Sequence, residues 1–220
     1  MLAVPFLLSL LAAGRSDTFD YNVANMQVLQ SRAVQKDMGV TGKQRAKMNS
    51  YAADNRTKLL ALENEAKKSG KNPDTSQFRD MYVALRSKVF SVLTTGQLKR
   101  LREITLQIAG AAGLLDQNVA DKVGLTKDQL DKGRKIYQDG MQREAKLSGD
   151  AYQAFMKAHP DKPKDAAGEK RLRDEWNARG KKLQPELLTM HSETDKKVIA
   201  LLSKAQMAKW KALKGKPFKR

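Results

Sequence analysis

Residues 125–129 read Leu-Thr-Lys-Asp-Gln, and the same pattern occurs three more times: an aliphatic residue, Thr or Ser, two variable residues, then Gln. The other stretches are Val40-Thr41-Gly42-Lys43-Gln44, Leu93-Thr94-Thr95-Gly96-Gln97 and Leu202-Ser203-Lys204-Ala205-Gln206. This is the spacing of a helix capping box. Thr or Ser at the N-cap accepts a hydrogen bond from a backbone N–H of the first turn, and Gln three residues on reaches back to the N-cap N–H. Each cap contributes about 1 kcal/mol, and the preceding aliphatic residue can staple against the new helix. One match is weak evidence. Four, each before a helix-forming run with periodic apolar residues, predict an all-α protein. Thr41, Gln44, Thr94, Gln97, Thr126, Gln129, Ser203 and Gln206 are therefore read as helix-capping motif residues.

The flanks repeat too. Val34–Gln44 (VQKDMGVTGKQ) aligns without gaps to Val119–Gln129 (VADKVGLTKDQ), 85 residues later. Periodicity predicts helices over about 41–68, 75–91, 94–108, 126–157, 168–201 and 203–214, with turns at 69–74 and 159–165 and a kink or split at Pro185. The pattern reads as elongated helical hairpins in tandem duplication, arranged as a single-chain pseudo-dimer or as a homodimer. The halves are 17–112 and 113–214, followed by a solvated, mobile basic tail over 215–220. Gly110-Ala-Ala-Gly113 reads as a flexible junction. Glycines such as Gly133 and Gly140 inside helical stretches, costing about 1 kcal/mol each relative to Ala, read as breaks in thin hairpins with apolar surface to spare.

The first fourteen residues, MLAVPFLLSLLAAG, carry no charge and are almost wholly apolar. That is too short to span a bilayer as a helix but fits the apolar core of a secretory signal, so residues 1–16 are expected to be a signal peptide. The usual basic residues before it are missing, and Asp17–Tyr21 after it reads as loop. The expected location is periplasmic or secreted, with no transmembrane span. The net charge of +18, from 42 Lys+Arg against 24 Asp+Glu, favours anionic partners. The absence of Cys excludes disulfides, thiolate metal sites and a cysteine nucleophile.

No catalytic constellation emerges. A metal site needs clustered ligands, and the two histidines, His159 and His191, lie in different segments. Ser192, His191 and Asp195 are too close in sequence on one helix to form a triad, and no nucleophile elbow is present. No cofactor, metal or enzymatic activity is expected. Basic and apolar residues along the helices are instead the candidates for binding clients: Arg45, Met48, Arg100, Arg102, Met141, Arg171 and Trp176.

The four boxes give the chain its resemblance to the LTxxQ-motif (Spy/CpxP-like) family of bacterial periplasmic proteins. Leu93–Gln97 and Leu125–Gln129 match in full; Val40–Gln44 and Leu202–Gln206 differ by one residue each. The resemblance implies long helical hairpins and an ATP-independent, stress-related chaperone whose partners are unfolded or acidic proteins. Four boxes in one chain depart from the family's two, which leaves dimer and single-chain pseudo-dimer both open. Two alternatives stand beside it: a basic protein binding nucleic acid without sequence preference, and an envelope structural or interaction protein without chaperone activity.

Overall fold

A computed structural model describes residues 19–70, 75–160, 163 and 165–219. The expected signal segment 1–16, residues 71–74 of the first turn and Arg220 lie outside the described residues. The protein is all-α. Its elements are α1 (Phe19–Val23), α2 (Met26–Leu29), α3 (Arg32–Asp37), α4 (Gly42–Ser69), α5 (Thr75–Phe90), α6 (Thr95–Ala109), a 3₁₀ helix (Gly110–Leu115), α7 (Gln117–Val123), α8 (Lys127–Ala158), α9 (Ala166–Ile199) and α10 (Lys204–Lys214). No helix among the described residues is long and apolar enough to cross a membrane.

The chain divides into two compact units, residues 1–109 with 211–220, and residues 110–210. In the first, Leu29, Val34, Met38, Val40, Phe90, Leu101 and Ile104 form the core under the paired ends of α3 to α6. From there α4 and α5 run out as a hairpin. The far part of that hairpin is thin, because Met48 is the only buried residue on α4, and Val89 and Phe90 are the buried residues on α5.

Of the segment read as loop, Asp17–Tyr21, residues 19–21 are the start of α1, and residues 17 and 18 lie outside the described residues. Five residues are too few to hold a helix by propensity. Tertiary contacts supply the difference: the Arg86 guanidinium donates to the carbonyl oxygens of Tyr21, Asn22 and Ala24, which caps the helix end. The same guanidinium lies over the Tyr21 ring, 4.6 Å from its centroid, and Tyr21 meets Phe90 edge-on.

The basic tail is not free. Residues 213–218 dock on α6 through their backbone. Arg100 Nη1 and Gln107 Nε2 donate to the Lys216 carbonyl at 2.7 and 2.8 Å, Arg102 donates to the Leu213 carbonyl, and Phe218 N–H donates to Gln107 Oε1 at 2.7 Å. Phe218 also packs against the core. The lysine side chains point the eye to solvent, but the carbonyls between them are what binds.

In the second unit α8 and α9 pack as a long hairpin, with the 3₁₀ helix against both. Ala111–Leu115 are all buried, so the stretch read as a flexible junction is a packed part of the core. α9 passes Pro185 as one helix. Pro185 is exposed, and so is Lys181, the residue whose carbonyl loses its donor to the ring.

Gly133 and Gly140, read as breaks, are buried points of close approach. A Cβ at Gly140 would lie 2.7 Å from Thr194 Cγ2 and 3.1 Å from Thr194 Cβ. Thr194 is held there by its hydroxyl, which donates to the Met190 carbonyl at 3.0 Å. Gly149 on the same helix has no neighbour within 4 Å of such a Cβ. Helix propensity alone favours Ala at both sites by about 1 kcal/mol. Gly149→Ala should therefore stabilise the protein by up to about 1 kcal/mol, while Gly140→Ala should destabilise it by about 1–3 kcal/mol through overpacking. Urea unfolding followed by circular dichroism measures both. Equal effects at the two positions would remove the close-packing role.

Candidate functional site

Each unit brings two of the four boxes together in one arrangement. In α4, Thr41 Oγ1 accepts from Gln44 N–H at 3.2 Å, and Gln44 Oε1 accepts from Thr41 N–H at 2.9 Å. The boxes at Thr94–Gln97, Thr126–Gln129 and Ser203–Gln206 repeat this pair of bonds.

The glutamines then pair with each other. Gln44 Nε2 donates to Gln97 Oε1 at 2.8 Å, and Gln97 Nε2 donates back to Gln44 Oε1 at 3.1 Å. In the second unit Gln129 and Gln206 exchange the same two bonds at 3.0 and 2.9 Å. The second N–H of each amide goes to a carbonyl two residues before the opposite box: Gln44 to Val92, Gln97 to Gly39, Gln129 to Leu201, Gln206 to Gly124. Those carbonyls lie just beyond the ends of α5, α3, α9 and α7, where no intrahelical donor remains. Every glutamine thus accepts twice and donates twice, the full capacity of a carboxamide.

The approach to each pair is also repeated. Gly39 (φ +66°) and Gly124 (φ +82°) take the left-handed conformation that lets α3 and α7 end in the same turn. Val40 N–H donates to the Gln35 carbonyl and Leu125 N–H to the Ala120 carbonyl, both at 2.9 Å. On the other side, Leu93 and Leu202 follow short turns closed by their N–H groups on Phe90 and Ile199, both at 3.1 Å.

Three of the seven proposed client-binding residues belong to the interior. Met48 is buried. Arg100 is buried against Asp37 (Nε–Oδ1 2.5 Å) and Glu103 (Nη1–Oε2 3.0 Å), and Arg102 against Asp20 (Nε–Oδ1 2.9 Å). Their charges are consumed inside the fold. The hydrogen bond from Arg100 holds the Asp37 carboxyl below its ordinary pKa, and the same bond raises that of Arg100. Arg45, Met141 and Arg171 are exposed. Trp176 is half-buried, packed against Tyr152 and Phe155 with ring centroids at 5.4 and 5.2 Å. Arg45 belongs to the first unit, and Met141, Arg171 and Trp176 to the second.

Sequence reading missed a groove along the first hairpin, lined by Tyr51, Asp54, Asn55 and Lys58 of α4 and by Met81, Ala84, Leu85 and Lys88 of α5. Its signal was present. Both sets run i, i+3, i+4, i+7, the positions of one helix face. In the second unit His191 lies between two helices' carboxylates, 3.4 Å from Glu144 and 4.0 Å from Asp195. Burial, with the negative charges of Asp195 and Glu144, pushes the nearby Tyr137 phenol above its ordinary pKa. Among the described residues no three His, Asp or Glu are placed to hold a metal ion.

No family model, curated protein or solved structure matches the chain.

Two outcomes follow from this geometry. An ordinary capping box accepts Glu as well as Gln, but Glu cannot donate. Gln97→Glu keeps the bond to Thr94 N–H, loses the donations to Gln44 and Gly39, and sets oxygen against oxygen. It should cost about 2 kcal/mol or more, two lost bonds at about 1 kcal/mol each, in chemical denaturation; a loss under about 0.5 kcal/mol would contradict the amide pair. For Asp37, a depressed folded pKa means stability that is present above the ordinary carboxylate pKa and lost as pH falls through the folded value. Asp37→Asn should cost about 1–3 kcal/mol at pH 7, and the gap to the parent should close as pH drops below about 4.

Proposed function

We propose that this chain is a periplasmic or otherwise exported, ATP-independent, chaperone-like protein that holds partly unfolded clients on basic amphipathic helices. The observation that carries this reading is the exposure of large apolar side chains on long basic hairpins. Leu60, Tyr82 and Val83 are exposed on the first hairpin, and Met141, Tyr152, Met156 and Leu188 on the second. Apolar side chains exposed along a helix are the surface on which such a client would be held. The resemblance of the four boxes to the LTxxQ-motif proteins and the apolar stretch at residues 1–14 support the same reading.

In this reading charge and apolar surface divide the work. The net +18 draws in acidic, partly unfolded chains and raises the encounter rate. Apolar contacts along the hairpins then lengthen the complex's life. Exposed methionines such as Met141 and Met156 suit clients of varied surface.

Light scattering of a chemically unfolded client diluted into buffer, with and without this protein and without ATP, tests the proposal. Aggregation should be suppressed at near-stoichiometric ratios, and the suppression should weaken yet persist as salt rises. No suppression at any salt sinks it. Binding that collapses with salt and prefers nucleic acid over unfolded protein would move the chain to the nucleic-acid class.

A further inference from the structure

We infer that the groove between α4 and α5 is the docking site for an acidic, amphipathic segment of a protein client, a site assignment that rests on the client-binding reading above. The half-buried part of the lining, the floor of the groove, is mostly apolar: Met81 and Leu85 from α5 and the Tyr51 ring from α4, with Asn55 the one polar side chain among them and Ala84 small and exposed beside them. Its rim carries an ammonium group from each wall, Lys58 of α4 and Lys88 of α5, against the single carboxylate of Asp54. Lys88 Nζ lies 5.9 Å from the Tyr51 ring centroid, so the cation and the apolar floor form one surface.

Charge selects the occupant. The unit holding this groove contains 22 Lys+Arg against 9 Asp+Glu, a surplus of 13, whereas the other unit contains 20 against 15, a surplus of 5. Within the first unit, Asp20, Asp37 and Glu103 are already paired with buried arginines, which leaves the exposed balance more basic still. Residues 42–90 alone carry 11 Lys+Arg against 5 Asp+Glu. A second copy of so basic a hairpin would be repelled. An oligonucleotide would meet the lysines but has no side chains for the floor. A segment with apolar residues on one face and carboxylates on its flanks satisfies both. Tyr51 to Lys58 spans about 10 Å of helix, the length of about two turns of a segment laid alongside.

The hairpin's seam supports an added helix. Tyr51, Asn55, Leu59, Leu62 and Ala66 of α4 remain half-exposed although they face α5. Two helices bury their facing stripes only partly, and a third laid along the groove would complete the cover.

Fluorescence anisotropy with a labelled amphipathic peptide of 18 residues, leucine on one face and glutamate on the others, tests the site on the full protein. A second peptide replaces every glutamate with lysine. The acidic peptide should bind at least about tenfold more tightly than the basic one, and more weakly as salt rises. Lys58→Glu with Lys88→Glu lies on an exposed helix surface and should leave the circular dichroism spectrum unchanged. It should weaken the acidic peptide about tenfold, and an 18-nucleotide single strand should displace that peptide poorly. Acidic-peptide binding by the double variant within twofold of the parent overturns the site, as does binding of neither peptide or equal displacement by the oligonucleotide. The two proposals fail separately. Full aggregation suppression by a variant that binds the peptide like the parent removes the groove but keeps the client-binding reading. Lysine-dependent peptide binding without any aggregation suppression keeps the groove and removes that reading.

Discussion

Two glutamine side chains facing each other across a helix junction organise each unit of this protein. A carboxamide has two donor and two acceptor positions, and at Gln44, Gln97, Gln129 and Gln206 all four are used. One bond closes the residue's own cap, two close the amide pair, and the fourth takes a carbonyl that an ending helix leaves unpaired. The arrangement joins two helix starts and two helix ends at one half-buried point. Partial burial raises the stakes, because an amide removed from water without its partners costs more than the net value of the bonds it makes.

The long hairpins grow from these junctions. Burial is concentrated near them: Met48, Val89 and Phe90 in the first unit, Leu130, Gly133, Thr194 and Val198 in the second. Along α8 the close approach of Thr194 at Gly140 extends the packed region by another turn or two, and Ala151, Phe155 and Trp176 make a further contact toward the far end. α4 has no such second contact. Its outer seam stays half-covered, and the apolar groove lies on that hairpin, in the unit with the greater charge surplus.

The capping boxes and the long helices were legible in the sequence because capping is local: the donor and acceptor are three residues apart. What the boxes do to one another was not. Which glutamine meets which is set by chain paths that bring Gln44 to Gln97 and Gln129 to Gln206, 53 and 77 residues apart. One hint was present. Glu serves an isolated capping box as well as Gln, so four boxes that all use Gln imply a need for the donor. Arg100 and Arg102 read as surface residues because arginine on an amphipathic helix normally is; their burial depends on Asp37 and Asp20, far away in the chain. The 3₁₀ helix read as a flexible junction because Gly-Ala-Ala-Gly has little side chain to pack. That same smallness lets α8 and α9 close over it. The basic segment after α10 misled for a different reason: its docking groups are main-chain carbonyls, and side-chain pattern carries no information about them.

The return of residues 213–218 to α6 has a consequence for the order of assembly. The buried guanidinium groups of Arg100 and Arg102 and the carboxamide of Gln107 take acceptors that lie more than a hundred residues downstream. When the chain emerges from a ribosome or a translocation pore, residues 110–210 are made before those acceptors exist. The unit that begins first is therefore completed last: Asp20, Asp37 and Glu103 are made early enough to pair with the two guanidinium groups, but the carbonyls of Leu213, Lys214 and Lys216 come only at the end. A chain built this way leaves its most basic region short of its last segment until its own synthesis is nearly over.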